Sequence, residues 1–213
     1  MRIFITFLLL FSLSVSVVHA QDHKQLKKFG IDTKHIPKGL KVGDKAPDFT
    51  SIDQYGKRIE LNQLLKNGPV VLIFYRGYWC PLCNQHLQKF EDSLQYITQR
   101  GASVVTVSAQ TPGNSEKMIH KQKITFHVVS DTTDQIMKDY KVLFNVTEAY
   151  QKLIEKYLKL DIRKVNNQEA AQLPVPATFI INPKGIIVYR QFNYDYSKRS
   201  TVKEVLEHLP PKN

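Results

Sequence analysis

The sequence predicts an α/β domain built on a mixed central sheet with helices packed on both faces. Three observations carry this reading. Short apolar, β-branched runs at residues 69–74, 102–108 and 177–181 read as buried strands. Stretches with apolar residues at helical spacing lie between them, and the last run turns back over Pro183-Lys184-Gly185 into residues 186–190 as a hairpin. Strands that alternate with helices and close in a hairpin and a final helix describe this layered class.

Taken in order, residues 1–20 read as a signal peptide, with a retained membrane anchor as the alternative, disfavoured because the segment is short for a span. Arg2 is a positive start, Ile3 to Val18 form an apolar stretch broken only by Thr6 and a few serines, and Val18-His19-Ala20 ends on small residues at cleavage positions. Cleavage after Ala20 would leave Gln21 first, and no cysteine follows Ala20 to take a lipid anchor. The expectation is secretion across the inner membrane to a periplasmic or extracellular location, with no stable membrane insertion after cleavage. About 190 residues remain, enough for one domain with a proper core. Residues 21–41 are polar and lysine-rich and read as a mobile lead-in; the domain itself is expected over residues 42–210.

Within the domain, residues 46–52 and 57–61 are short strand candidates joined by a turn at Gln54-Tyr55-Gly56-Lys57. A helical turn at residues 62–67 closes at Gly68 before the buried strand. After the cysteines, Leu87, Phe90, Leu94 and Ile97 predict one helix over residues 85–99. Further helices are expected over 115–122, 134–142 and 147–160, and a further strand over 125–130. Residues 161–173 are polar and read as a loop or a frayed continuation of the preceding helix. Thr201-x-x-Glu204 is a capping-box signature opening a last helix. There is no internal repeat.

Charge excludes little by itself. The formal net charge is +11, from 30 Lys and Arg against 19 Asp and Glu. The basic residues are scattered and no basic-aromatic motif organises them, so a solvated basic surface is expected and nucleic acid is not an expected partner.

The chemistry concentrates in Phe74-Tyr75-Arg76-Gly77-Tyr78-Trp79-Cys80-Pro81-Leu82-Cys83, which holds the only two cysteines. A loop this short gains little stability from a crosslink, so the pair is better explained by reactivity. If Cys80 caps the following helix, Pro81 falls at the first helical position, where its missing N–H costs nothing. The free N–H groups of Leu82 and Cys83 then point at the Cys80 sulfur, and the helix dipole favours its thiolate. Arg76 either adds positive charge there or points to solvent. Half of a zinc site is the competing reading of Cys-x-x-Cys, but no second pair exists and no histidine stands at ligand spacing; neither a metal nor a cofactor is expected. Trp79 reads equally well as core. His86, one turn after Cys83, reads first as a solvated helix histidine and second as a group tuning that cysteine. Tyr194, Tyr196 and Arg199 read as an exposed loop, with a border to the site as the alternative.

These residues resemble the alkyl hydroperoxide reductase and thiol-specific antioxidant (AhpC/TSA) family, the peroxiredoxin-like branch of the thioredoxin superfamily. Gly43-Asp44-Lys45-Ala46-Pro47-Asp48-Phe49 resembles its entry motif, Val70 to Cys83 its strand and active-site loop, and Pro176-Ala177-Thr178-Phe179-Ile180-Ile181-Asn182 its late hairpin. The resemblance implies a thioredoxin-like fold and an antioxidant thiol oxidoreductase. In the peroxiredoxin register Cys83, nine positions after Phe74, matches the peroxidatic cysteine, Cys80 stands in place of the family's Thr and Arg76 in place of its Pro. The family's arginine before the hairpin is here Pro176. Trp79-Cys80-Pro81-Leu82-Cys83 is also similar to the Trp-Cys-x-x-Cys of thioredoxins, and Val175-Pro176 to their cis-proline.

Two reactions follow from the resemblance. As a peroxidase, Cys83 attacks a peroxide and Cys80 resolves; as a disulfide oxidoreductase, Cys80, the more exposed thiol, attacks a protein disulfide and Cys83 resolves. Arg76, Trp79, Pro81, Pro176 and Thr178 are the implied supporting residues. The implied partners are a peroxide or protein disulfide substrate and a thiol reductant such as a thioredoxin-like protein. A non-enzymatic binding domain on the same fold is the third reading.

Overall fold

The structure is a computed structural model and describes residues 24–210; the predicted signal peptide and its cleavage site lie outside them. The described part of helix α1 covers residues 24–28. It is followed by β1 (Thr50–Ile52), β2 (Arg58–Glu60), α2 (Leu61–Asn67), β3 (Val70–Phe74), α3 (Pro81–Asp92) and α4 (Leu94–Gln99). Then come β4 (Ser103–Ser108), α5 (Pro112–Gln122), β5 (His127–Ser130), α6 (Gln135–Asp139), β6 (Leu143–Asn145), α7 (Glu148–Leu158) and α8 (Ile162–Asn166). The chain ends with β7 (Gln172–Pro174), β8 (Ala177–Ile181), β9 (Ile187–Phe192) and α9 (Val202–His208).

Five strands form the central sheet in the order β5-β4-β3-β8-β9. β3 lies in the middle, parallel to β4 and antiparallel to β8, which gives the mixed sheet expected of the thioredoxin-like class. All five β3 residues are buried because both faces are covered. Alternation along the strand divides the core in two. Val71, Ile73 and Tyr75 join Leu87, Phe90, Ile97, Met118, Ile154 and Val205 from α3, α4, α5, α7 and α9. Val70, Leu72 and Phe74 join Leu61, Leu65, Ile136 and Tyr140 from α2, α6 and its end. Each such side chain contributes about 1.5–3 kcal/mol by leaving water.

Both sheet edges are covered. Beside β5, Asp53 bridges to Val129, and the Gln54 amide donates to Phe126 O at 2.8 Å and accepts from Val128 N at 2.7 Å, extending the ladder with a side chain. Beside β9, Gly43 N donates to Ile187 O at 2.8 Å and Arg190 Nη2 to Lys38 O at 2.7 Å.

Three local expectations are corrected. The predicted mobile lead-in is packed: Leu26, Ile31 and Leu40 are buried, and Ile31 bridges to Val146. Short polar stretches can dock through a few apolar residues that a composition reading averages away. The helix predicted over residues 85–99 breaks at Ser93, where the Glu91 carboxylate turns out to accept from Thr125 N and Thr125 Oγ1. The predicted loop at residues 161–173 contains α8, capped by the Asp161 side chain on Arg163 N, and reaches β7, which pairs with β6. That pairing is long-range and leaves no periodic trace in three-residue strands. Among the described residues no helix is long and apolar enough to cross a membrane.

Candidate active site

The site forms where β3 ends and α3 begins. Cys80 is the N-cap of α3 with Pro81 behind it, and its sulfur accepts from Cys83 N at 3.3 Å. Gly77, at φ +147°, makes the approach possible: a Cβ there would lie 2.6 Å from Trp79 Nε1. The loop is held from behind by Gln110, which accepts from Tyr78 N at 2.8 Å and donates to the Tyr75 hydroxyl at 3.0 Å. Gln110 has no signature in the sequence. Burial pushes the Tyr75 phenol up to about 12, so it stays protonated.

Both cysteines are free thiols and both are 0% exposed. The expectation that Cys80 is the more exposed thiol is therefore corrected: both sulfurs are equally closed off from solvent. Arg76 points inward. It is 5% exposed, and its Nη2 donates to Cys80 Sγ at 3.1 Å while Nη1 donates to the Tyr150 hydroxyl at 2.7 Å. Its guanidinium lies 3.6 Å from the Tyr196 ring centroid and 5.2 Å from that of Trp79. Trp79 is thus core and site wall at once. Burial works against the Arg76 charge, but the two sulfurs outweigh it and raise its pKa.

A second guanidinium reaches the other sulfur. Arg199, in the loop between β9 and α9, donates from Nη2 to Cys83 Sγ at 3.4 Å and from Nε to Tyr196 O at 2.8 Å. The loop read as exposed is half-buried and lines the site. Burial opposes a charge on Cys83, yet the Cys80 thiol hydrogen bond and the Arg199 and Arg76 charges together hold its pKa well below the usual thiol range. Cys80 shifts the opposite way, upward, because it donates its proton to Cys83 and because it is buried. The pair titrates together, with the negative charge favoured on Cys83.

His86 is not solvated. It is 8% exposed, stacks edge-on against Phe90 with centroids 4.9 Å apart, and its Nε2 lies 2.9 Å from Ser200 O. A carbonyl only accepts, so Nε2 carries the hydrogen. Burial first, and then the Arg199 charge, push its pKa down to about 4 and keep it neutral. Ser200 Oγ in turn donates to Thr178 Oγ1 at 2.8 Å. Thr178 and His86 therefore fasten the loop that carries Arg199. Pro176 is buried immediately before β8, whose first residue Ala177 pairs with Phe74 at the site end of the sheet. The expected cis-proline is corrected, since no peptide bond among the described residues is cis. Pro81 is exposed on the surface. Among the described residues no group of three or more His, Cys, Asp or Glu is arranged to hold a metal ion.

The sequence profile of the AhpC/TSA family matches residues 42–190. The chain belongs to the AhpC/TSA family. The lead-in lies upstream of the AhpC/TSA match. Relatives include the chloroplastic peroxiredoxin Q of Populus jackii, 33% identical over 100 residues, 47% of this chain and 46% of that protein. The thiol-disulfide oxidoreductase ResA of Bacillus subtilis (strain 168) is 27% identical over 153 residues, 70% of this chain and 66% of that one. The match thus spans about half the length of the peroxiredoxin Q relative. Among solved structures, peroxidoxin BcpB from Mycobacterium tuberculosis superposes with a TM-score of 0.61 at 21% identity, covering 79% of this chain and 96% of that one. A peroxiredoxin-like protein from Aquifex aeolicus superposes with a TM-score of 0.62 at 21% identity, covering 81% and 87%. These likenesses agree with the thioredoxin-like fold of the AhpC/TSA family.

Proposed function

We propose that this chain is an exported thiol peroxidase that works through a Cys80–Cys83 dithiol/disulfide cycle, with Cys83 as the attacking sulfur. The observation that carries it is the division of charge inside a closed site: Cys83 is the low-pKa sulfur, against Arg199 and the Cys80 proton, and neither sulfur meets solvent. A small peroxide needs far less opening than a folded protein disulfide. The disulfide-exchange reading requires Cys80 to meet its substrate first, and Cys80 is buried with its proton held.

In the first step the Cys83 thiolate attacks the near oxygen of the peroxide. The O–O bond breaks, sulfur is oxidised to sulfenic acid, and the leaving alkoxide or hydroxide takes back from solvent the proton that Cys83 released on ionising, becoming alcohol or water. In the second, Cys80 sulfur displaces the sulfenic oxygen, which leaves as water with the Cys80 proton, and the Cys80–Cys83 disulfide forms. An external dithiol, of the thioredoxin-like class, returns two electrons and two protons and is itself oxidised. Arg76 and Arg199, which donate to the Cys80 and Cys83 sulfurs, stabilise charge at the reacting centre.

The test is to react the pre-reduced chain with hydrogen peroxide and, separately, with a protein disulfide. Cys80→Ser should consume one peroxide and accumulate sulfenic acid on Cys83, whereas Cys83→Ser should lose at least about a thousandfold in oxidation rate. Oxidation of the intact chain no faster than a free small thiol removes the peroxidase reading; a mixed disulfide trapped through Cys80 in Cys83→Ser installs the exchange reading. Export is tested by the N-terminal residue of the protein recovered outside the inner membrane, expected to be Gln21.

A further inference from the structure

Arg76 is held in place from a distance. Its Nη1 is anchored by the Tyr150 hydroxyl on α7, and its flat face is covered by Tyr196. Both aromatic rings rest on the lead-in. Phe29 meets the Tyr196 ring edge-on with centroids 5.8 Å apart. Gly30 abuts Tyr150 so closely that a Cβ would lie 2.5 Å from Tyr150 Cγ, and its φ of +83° is one that glycine adopts freely. The first turn of α7 is docked on the same residues. Thr147 N donates to Gly30 O at 2.8 Å, Asp32 N donates to Asn145 O at 2.9 Å, and the Thr147 hydroxyl caps Tyr150 N at 3.4 Å.

We propose that Tyr150 is a positioning residue for Arg76, and that Phe29 and Gly30, which lie upstream of the matched family domain, are part of the same brace. The brace decides which way the guanidinium faces. Arg76 Nε has no partner, so the side chain is oriented only through Nη1 on Tyr150, Nη2 on Cys80 and its stacking. Without the Tyr150 hydroxyl, a buried charged donor loses its fixed acceptor and turns away from Cys80. Tyr150 accepts as a neutral phenol, because burial pushes its own pKa up to about 12.

This inference rests on the reading that Cys80 and Cys83 are the reacting pair, and its test reads the thiols directly rather than turnover. The full-length reduced chain is titrated by its ultraviolet thiolate absorbance, and its alkylation by iodoacetamide is timed at neutral pH. Tyr150→Phe, which keeps the ring, is expected to raise the thiol titration and to slow alkylation by about tenfold. Phe29→Leu should act in the same direction and more weakly, and Gly30→Ala should match Tyr150→Phe if it folds. Lys34→Ala, exposed in the lead-in, should change neither. A folded Tyr150→Phe chain with the original titration and alkylation rate overturns the proposal, whatever Gly30→Ala does. If Tyr150→Phe shifts the titration while the intact chain ignores peroxide, the peroxidase reading falls and the brace stands.

Discussion

Cys80 and Cys83 are three residues apart and live in differently built surroundings. The groups that touch Cys80 are local: Arg76 from the same loop, although Tyr150 braces it from 74 residues away, the Cys83 N–H from the next helical turn, and Pro81 setting the helix start. Around Cys83 the local Cys80 thiol is joined by a group from 116 residues away, where Arg199 arrives on a loop fastened by His86, Ser200 and Thr178. The two sulfurs shift in opposite directions, and the remote loop adds its charge on the side of Cys83. A local motif supplies the sulfurs and the hydrogen bond between them; the distant cation adds to the preference for charge on Cys83.

Loosening the remote side should have the larger consequences. His86 is neutral in the fold down to about pH 4, whereas an unfolded histidine takes its proton near 6.5. Protons therefore bind the unfolded chain first, and the stability contributed by neutral His86 is lost as pH falls from about 6.5 towards 4, by roughly 3 kcal/mol. His86→Gln should flatten that fall, seen in guanidinium chloride midpoints measured against pH. Next comes Arg199→Met, expected to slow peroxide oxidation at neutral pH by about tenfold. Because Arg199 depresses the Cys83 pKa, the intact chain should lose rate only in acid, and the variant should begin to lose it at higher pH. A variant that keeps the original pH profile would show that the Cys80 hydrogen bond and Arg76 set the charge without Arg199.

Thr201 closes the remote loop: its hydroxyl accepts from Glu204 N at 3.1 Å and Glu204 returns a bond to Thr201 N, completing the capping box. Thr201→Val should cost about 1 kcal/mol in a thermal melt and leave the thiol titration in place. The smallest effect is expected on the local side. Pro81→Ala keeps the Cys83 N–H on the Cys80 sulfur, so stability should change by no more than about 0.5–1 kcal/mol and thiol reactivity little. A large loss of reactivity in Pro81→Ala would mean that the local cap, and not the remote loop, governs the pair.

Much of the fold was legible because its signals are short-range. The β-branched runs that became β3, β4 and β8, the cap at Cys80 and the Thr201 box each lie within a few residues. What could not be read depends on contacts that jump along the chain. Gln110 bonds to Tyr75 and Tyr78 across more than thirty positions, and a glutamine after a strand carries no mark of that role. The sequence puts His86 on a helix after Cys83, yet whether a helix position faces water or the loop carrying Ser200 depends on what packs there. The same holds for Phe29 and Gly30, whose polar neighbours hide the aromatic contacts they make.

The sequence by itself determined that this chain would bury a β3-type strand, end it in a Cys-x-x-Cys at a helix start, and belong with peroxiredoxin-like proteins. Tertiary structure alone decided that both sulfurs are closed off, that Arg76 turns inward onto Tyr150, and that Arg199 meets Cys83. The reason is physical. Strand and helix signals arise from interactions over one or two turns of chain, whereas a sulfur's pKa is set by every charge and every excluded water within a few ångströms, whichever part of the chain supplies them.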